Sequence, residues 1–242
     1  MINSAQKTFF IENGYLIYEN ILAKDEIIYL RNIYEKFLSG EIDSKGNRSD
    51  LSGLKKTNGE QITQIMRPSL ILKELGNHEI YKKVSQFAKT LLGDDLEVDF
   101  DMLIDKAPNT NMETPWHQDE AYWLDMPDKR AVSCWIALDD VTKENGCMWF
   151  TPKSHLLGMK PHIQINNGGA MKCEGNEEES FAAEIKAGSC SFHHGRTLHY
   201  SRSNSTSTRR RAFIINLRPK TMIELERAKG YDHLGERKNQ KI

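Results

Sequence analysis

The chain has 242 residues, of which 38% are hydrophobic and 28% are charged, and its formal net charge is −1. This composition lets the chain bury a core and excludes a disordered protein, while the length fits a single domain. The near-neutral charge argues against a general nucleic-acid-binding protein, because such a protein needs a basic face.

The N-terminus shows no basic segment followed by a long apolar run, so we expect no signal peptide. No apolar run approaches the roughly 18 residues of a membrane span. The four cysteines are scattered and form no Cys-x-x-Cys pair. That usage is typical of reduced thiols inside a cell rather than of a disulfide scaffold or a zinc knuckle. The sequence therefore predicts a cytoplasmic protein without membrane or nucleic-acid partners, with a monomer as the default state.

Two amphipathic helices are predicted in the first third of the chain. Residues 23–38 place apolar side chains at helical spacing behind two acidic residues, and residues 79–92 repeat the apolar spacing. A glycine follows each segment closely and is a suitable helix end. The polar segment between them, residues 39–59, predicts a loop.

Short apolar or alternating runs separated by turn residues dominate the rest of the chain and indicate a β-sandwich or barrel. These runs are residues 97–104, 132–138, 147–150, 189–192 and 211–217. The long polar segment 160–188 predicts a functional lid or a partly disordered loop. After residue 219 the chain is highly charged and predicts a last helix, residues 221–228, that then frays.

We therefore expect a single domain over residues 1–242 that is mainly β with flanking helices. In this interpretation a helical N-terminal part, residues 1–95, packs on a β-barrel core, residues 96–219. The charged residues 220–242 form a tail.

A candidate metal site begins at His117 and Asp119, which are two residues apart. In an extended segment such residues point to the same face, so both can reach one metal ion. A histidine from a distant strand would complete two histidines and one carboxylate, the ligand set of non-heme Fe(II) oxygenases. The candidates for that distant ligand are His193, His194 and His199.

Arg210 follows His199 by eleven residues, whereas no arginine stands eleven residues after His193 or His194. The interval suits a strand, a turn and the start of a neighbouring antiparallel strand, so it favours His199 as the ligand. An arginine there can clamp a carboxylate through two parallel hydrogen bonds. A 2-oxo acid that chelates the iron would extend its far carboxylate towards this arginine.

Several short motifs follow one another in an order and at spacings that are together highly specific. They are residues 102–108, 115–119, 135–140, 144–148 and 152–155, and they end with His199, Ser201, Asn204 and Arg210. In these motifs, from about residue 10 to residue 219, the sequence resembles the phytanoyl-CoA dioxygenase family. The resemblance implies an Fe(II)- and 2-oxoglutarate-dependent oxygenase on a double-stranded β-helix, a jelly-roll or cupin-like barrel.

The resemblance assigns iron binding and catalysis to His117, Asp119 and His199. It also implies a 2-oxoglutarate pocket, in which Arg210 would bind the far carboxylate and Ser201 would assist it. Trp135 and Met102 would line this pocket, and Gln64 would make a polar contact with the co-substrate. Related halogenases have a small residue in place of the carboxylate, so Asp119 disfavours halogenation.

The expected reaction is hydroxylation of an unactivated C–H bond of a small organic substrate, with Fe(II), 2-oxoglutarate and O2, and with release of succinate and CO2. An anionic substrate would be favoured if several cations face the pocket mouth, the candidates being Arg67, Lys153, Lys160, Arg196 and Arg202. Two alternatives stay open: a non-catalytic or cupin-like metal-binding barrel that does not use 2-oxoglutarate, and a zinc hydrolase.

Overall fold

The computed structural model describes residues 1–44, 46–52, 59–165 and 170–234. Its helices are α1 (Ser4–Asn13), α2 (Lys24–Ser39), α3 (Pro68–Ile71), α4 (Lys73–Gly76), α5 (Ile80–Leu92) and α6 (Lys220–Ala228). Its strands are β1 (Tyr15–Tyr18), β2 (Arg48–Asp50), β3 (Ile62–Met66), β4 (Leu96–Lys106), β5 (Thr114–His117), β6 (Val132–Ala137), β7 (Met148–Phe150), β8 (Ile163–Ile165), β9 (Ala170–Lys172), β10 (Phe181–Ala183), β11 (Cys190–His194), β12 (His199–Ser201) and β13 (Arg210–Pro219).

Two antiparallel sheets enclose a cavity. The larger sheet has seven strands in the order β1-β11-β6-β13-β4-β3-β2, and the smaller has four in the order β10-β7-β12-β5. Side chains from β4, β6 and β13 of the larger sheet and from β5, β7 and β12 of the smaller one line the same cavity. The arrangement is the jelly roll expected from the sequence.

The helices α2 and α5 cover the outer face of the larger sheet. Their apolar sides join one hydrophobic core with Phe213 and Ile215 of β13, whereas Ala212 and Ile214 belong to a second core inside the barrel. Because side chains alternate along a strand, this register also turns Arg210 towards the inside. Both predicted helices are confirmed, within one residue at each end.

Three segments differ from their predicted structure. The part before residue 96 is not only helical, because it supplies β1, β2 and β3 to the larger sheet. The predicted loop 39–59 contains β2, although residues 45 and 53–58 lie outside the described residues. The segment 160–188 contains the β8–β9 hairpin and β10, and its residues 166–169 are likewise outside the described part. Among these strands, β1 and β10 pair with β11 and β7, which lie far away in the sequence and which local patterns do not reveal.

The C-terminal segment is more than a charged tail. Arg218 on β13 contacts both Asp99 on β4 and Glu226 on α6, and Arg227 also contacts Asp99. His233 Nε2 lies 2.9 Å from a carboxylate oxygen of Glu226. We call these five residues the C-terminal charge cluster. It attaches α6 and the chain up to residue 234 to the barrel, so the predicted fraying is wrong for residues 229–234. Residues 235–242 lie outside the described part.

We expect the C-terminal charge cluster to make the fold sensitive to acid. Burial alone would raise the pKa of Asp99 and Glu226, but His233 and Arg218 outweigh burial and lower both pKa values to about 2. Unfolded carboxyls titrate near pH ~4. The stabilisation is therefore complete above about pH 4 and is lost as the pH falls towards 2, by an amount on the order of a few kcal/mol.

Urea unfolding between pH 7 and pH 2.5 measures this dependence. The free energy of unfolding of the natural chain should fall steeply below pH 4, and the fall should be smaller in an Asp99→Asn/Glu226→Gln variant. An equal pH dependence in both proteins would contradict the assignment.

None of the helices in the described part of the chain has both the length and the apolar character needed to cross a membrane. All four cysteines are buried and free.

Candidate active site

The two histidines of the predicted triad face each other across neighbouring strands. His117 ends β5 and His199 begins β12, and the two residues are directly paired in the register of these strands. Asp119 follows β5 at the start of a short 3-10 helix. The structure thus brings together residues that are 80 positions apart in the sequence.

The turn before His199 depends on Gly195. A Cβ atom at this position would lie 2.7 Å from the Trp123 ring, so a larger residue would clash. The backbone N–H of Thr197 donates to the carbonyl of His194, which closes the turn at 2.8 Å. This turn places His199 at the start of β12, where the residue lines the cavity.

The distances within the triad fit a shared metal ion. Asp119 Oδ1 lies 3.7 Å from His117 Nε2 and 3.5 Å from His199 Nε2. The three candidate ligand atoms all lie within 4.8 Å of one another. A divalent ion such as zinc binds nitrogen and oxygen ligands at about 2.1 Å, so two ligand atoms of one ion are at most about 4.2 Å apart. Both measured distances meet this limit.

Backbone carbonyls orient the two imidazoles. His117 Nδ1 lies 2.7 Å from the carbonyl oxygen of Pro115, and His199 Nδ1 lies 2.8 Å from that of Thr197. Since a carbonyl oxygen only accepts hydrogen bonds, both rings must carry hydrogen on Nδ1. The lone pairs on both Nε2 atoms are therefore free to bind a metal, as is usual for histidine ligands.

The protonation states also suit a metal. Burial lowers the pKa of both His117 and His199, so the rings are neutral at pH 7. Burial would raise the pKa of Asp119, but the surrounding histidines outweigh it and the pKa is lowered. Neutral imidazoles and an ionised carboxylate are the forms that bind metal ions.

His194, the alternative ligand, lies elsewhere. Its Nδ1 accepts a hydrogen bond from the backbone N–H of Arg196, and its ring lies 5.5 Å from the ring of His155. His194 is not among the residues that line the cavity. The geometry therefore favours His199.

The cavity next to the triad has a volume of about 490 Å³, within the range of small-molecule sites. All five residues predicted for the 2-oxoglutarate pocket line it: Arg210, Ser201, Trp135, Met102 and Gln64.

On β4 and β13 the Arg210–Lys106 pair and the Asn216–Phe100 pair are six residues apart. This separation is about 20 Å along the strands. Ser133 contacts Asp119 and pairs with Asn216. The backbone of Arg210 therefore lies six residues along β13 from the row of the sheet that contacts the triad.

Arg210 is the most unusual of these residues. It is 1% exposed, and its Nε and Nη1 atoms have no hydrogen-bond partner among the described residues. The Trp135 ring centre lies 5.3 Å from the guanidinium carbon. Burial lowers the pKa of Arg210 to about 10, so the side chain still carries its charge at pH 7. A buried, charged group with free donors is suited to bind an anion.

The other pocket residues have clear neighbours. Gln64 Nε2 lies 3.3 Å from Met102 Sδ, which places the amide beside the thioether on adjacent strands. The carbonyl of Ser201 accepts a hydrogen bond from Nζ of the buried Lys106 at 3.0 Å. No hydrogen bond joins Ser201 to Arg210 within the described chain, so direct support of Arg210 by this hydroxyl stays a prediction.

One prediction about Arg210 is wrong. Its strand, β13, is not a neighbour of β12, because β12 lies in the smaller sheet and β13 in the larger one. The connection between them crosses from one sheet to the other, and Asn204 Nδ2 fixes it by donating to the carbonyls of Lys106 and Thr208. Arg210 therefore belongs to the sheet that faces the strands of His117 and His199.

The five cations that would favour an anionic substrate do not line the cavity. Arg196 pairs with Glu120 and Arg202 pairs with Glu177. Arg67 donates to a backbone carbonyl of the C-terminal segment. These residues therefore give no support to an anionic substrate.

Asp99, Glu226 and His233 also bring three possible ligand atoms within 4.8 Å of one another. Arg218 and Arg227 already contact both carboxylates of this group. Two guanidinium charges in contact with these carboxylates would repel a metal cation, so we expect no metal ion at this group.

Two neighbours of Asp119 are not predicted from the sequence. The sequence marks His193 only as a possible ligand and does not mark Ser133, yet both residues contact this carboxylate. Side chains alternate along a strand, so His193 and Ser191 of β11 share the inward face. This alternation is the sequence signal that could identify His193 as a residue of the site.

Two histidines and a carboxylate at the inner edge of such a barrel are the ligand set of non-heme Fe(II) oxygenases. The sequence profile described as Phytanoyl-CoA dioxygenase (PhyH) matches residues 10–212. The chain belongs to this family, which confirms the resemblance.

Curated relatives agree with this assignment. Phytanoyl-CoA dioxygenase of Arabidopsis thaliana is 28% identical over 247 residues, covering 88% of this chain and 87% of the relative. Peroxisomal phytanoyl-CoA dioxygenase of Homo sapiens is 26% identical over 221 residues, covering 86% of this chain and 65% of the relative. The chain spans about half of the length of the bovine and rat relatives that it matches, at 50% each.

Solved structures share the fold. EvdO2 from Micromonospora carbonacea var. aurantiaca is 26% identical with a TM-score of 0.77, covering 90% of this chain and 91% of the other. Its complex with 2-oxoglutarate has a TM-score of 0.76 at 24% identity. EctD from S. alaskensis, with 2-oxoglutarate and 5-hydroxyectoine, has a TM-score of 0.70 at 21% identity, covering 91% and 77% of the two chains. The predicted double-stranded β-helix is thereby confirmed.

Proposed function

We propose that the protein is an Fe(II)- and 2-oxoglutarate-dependent dioxygenase. It hydroxylates an unactivated C–H bond of a small organic substrate and releases succinate and CO2. The observation that carries this proposal is the buried guanidinium of Arg210, whose Nε and Nη1 lack partners among the described residues. An unpaired buried charge costs several kcal/mol. The far carboxylate of 2-oxoglutarate would supply the missing partner.

His117, Asp119 and His199 would hold the iron. Three protein ligands on one side leave three positions open, which is the number that a bidentate 2-oxo acid and O2 require. When bound, the iron supplies the oxidation chemistry that couples decarboxylation of 2-oxoglutarate to oxidation of the substrate. The chain's own contribution is to bind, orient and shield these groups.

Arg210 would bind the far carboxylate through two parallel hydrogen bonds, with Ser201 assisting. Trp135 packs beside the guanidinium and keeps water away from this pair. Met102 and Gln64 line the same cavity and would contact the carbon chain and a polar edge of the co-substrate.

The β8–β9 hairpin would act as the lid. Gln164 of β8 and Ala170 of β9 line the cavity, so this hairpin forms part of its wall. A closing segment at this place would exclude water from the site while the substrate reacts.

The sequence observations alone support a cytoplasmic location and a monomer, which we also propose. The alternative, a non-catalytic or cupin-like metal-binding barrel that does not use 2-oxoglutarate, has no observation in its favour. It would leave the charge of Arg210 without a partner, and so would a zinc hydrolase.

An anaerobic titration of the metal-free protein with Fe(II) and 2-oxoglutarate tests the proposal. Chelation of Fe(II) by the 2-oxo acid gives a weak charge-transfer band in the visible spectrum. We expect this band only when both additions are present. Folded protein that shows no band at saturating iron and 2-oxoglutarate would overturn the proposed co-substrate.

A further inference from the structure

The two carboxylate oxygens of Asp119 have different surroundings. Oδ1 faces the Nε2 atoms of His117 and His199, at 3.7 and 3.5 Å. Oδ2 accepts a hydrogen bond from Ser133 Oγ at 2.8 Å and lies 3.2 Å from His193 Nε2. One oxygen is thus directed to the metal position, whereas the other is engaged by two side chains.

Ser133 and His193 come from different strands of the larger sheet and are directly paired in register, Ser133 on β6 and His193 on β11. Each is 3% exposed, so neither has ready access to solvent as an alternative partner. The same inward row of the sheet continues to Asn216 on β13, which pairs with Ser133. The sheet therefore presents both donors to Asp119 from a rigid surface.

The direction of the Ser133 hydrogen bond follows from its other partner. Asn216 Nδ2 donates to Ser133 Oγ at 2.9 Å, so the hydroxyl oxygen already accepts a hydrogen bond there. Its single hydrogen is then free to point at Asp119 Oδ2. The amide of Asn216 fixes the hydroxyl in the donating orientation.

The tautomer of His193 follows in a similar way. Its Nδ1 is buried without a partner among the described residues, while its Nε2 faces the carboxylate. A carboxylate only accepts hydrogen bonds, so the ring must carry hydrogen on Nε2. Nδ1 is then an acceptor without hydrogen, and no N–H group is left buried and unpaired on this ring in its neutral form.

We infer that Ser133 and His193 are positioning residues, which hold Oδ2 of Asp119 in hydrogen bonds and leave only Oδ1 to bind the metal ion. This inference rests on the proposed function. A carboxylate that turned to bind through both oxygens would fill one of the three positions needed by 2-oxoglutarate and O2. The two donors therefore keep the site open on the side where the reactants bind.

A direct role of His193 as a metal ligand fits the geometry less well. Its ring lies 4.6 Å from the His199 ring, but its Nε2 faces Oδ2 and not the Oδ1 side of Asp119. It is not part of the group of mutually close ligand atoms formed by His117, Asp119 and His199.

Binding of Co(II), which is stable in air at this oxidation state, tests the inference without any need for turnover. The visible spectrum of Co(II) reports its affinity and its coordination number. Ser133→Ala and His193→Phe each remove one donor to Asp119. Each variant should bind Co(II) about 10- to 100-fold more weakly, the usual effect of removing a group that orients a metal ligand. The double variant should also show an altered spectrum, because Asp119 can then turn.

Two further variants separate positioning from general disturbance of the sheet. Ser191→Ala removes another buried hydroxyl from β11, two residues from His193 and without a partner among the described residues. It should leave Co(II) binding unchanged. His193→Gln keeps an N–H donor of similar reach and should recover most of the affinity that His193→Phe loses.

Co(II) affinities and spectra equal to those of the natural chain in both Ser133→Ala and His193→Phe would overturn the inference. If His193→Phe does not fold, natural affinity in Ser133→Ala overturns it alone. An equal loss of affinity in Ser191→Ala would also overturn it, because the effect would then be structural. Failure of the natural chain itself to bind Co(II) or Fe(II) would instead overturn the proposed function, so the two failures are distinguishable.

Discussion

Replacement of Asp119 by alanine is expected to weaken Fe(II) binding more than ~100-fold and to abolish the charge-transfer band with 2-oxoglutarate. Loss of a group that merely orients a ligand already costs about 10- to 100-fold in affinity. Asp119 is itself a candidate ligand and the only carboxylate in the triad. Without Asp119 the triad would keep only two neutral imidazoles, so none of its groups would offset the positive charge of the iron.

Anaerobic titrations of matched variants test this expectation. His199→Ala should lose the band as Asp119→Ala does. His194→Ala should keep it, because His194 bonds to the backbone of Arg196 and lies outside the cavity lining. Asp140→Ala, which removes an exposed carboxylate paired with Lys186, should also bind iron normally. A band that survives in His199→Ala but not in His194→Ala would make His194 the ligand.

Replacement of Arg210 by methionine is expected to have two opposite effects. The affinity for 2-oxoglutarate should fall about 100-fold or more, because two hydrogen bonds to a charged group are lost and each is worth roughly 1.5–3 kcal/mol. The protein without ligands should become more stable. A buried guanidinium with two donor atoms that lack partners among the described residues is replaced by an apolar side chain of similar length, which removes the cost of burying those donors.

Thermal unfolding and titration calorimetry measure the two effects separately. Arg209→Met is the matched control: this neighbouring arginine pairs with Asp105 and does not line the cavity. The control should keep the natural affinity for 2-oxoglutarate. Unchanged affinity in Arg210→Met would remove this residue from the co-substrate site, and the proposed role of the cavity would then be wrong.

Features that depend on local pattern could be predicted from the sequence. The helix α2 is predictable because its apolar side chains recur at helical spacing behind acidic residues, and α5 is predictable because its apolar spacing is regular. The eleven-residue interval from His199 singles out Arg210, although the strands that the interval joins lie in opposite sheets. His117 and Asp119 are predictable as a pair, because a spacing of two in an extended segment is a local property.

Features that depend on strand order could not be predicted. The sequence gives no sign that β1 pairs with β11 or that β12 and β13 lie in opposite sheets. The contacts of Ser133 and His193 with Asp119 require the register between β6 and β11, which is set by the packing of the whole sheet. The burial of Glu226 cannot be predicted without knowing that Arg218 and Asp99 lie beneath α6.

The strand pairing has a consequence for how the protein acquires its metal. Tyr15 pairs with His193, and His117 pairs with His199, so the contacts that build the site join distant parts of the chain. Such high contact order is typical of slow folding. The three candidate ligands meet only after β5 and β12 of the smaller sheet have paired, and the unfolded chain holds no ready-made metal site. Iron would therefore arrive after folding and add stability by mass action, so iron supply would set how much of the protein is active without deciding whether it folds.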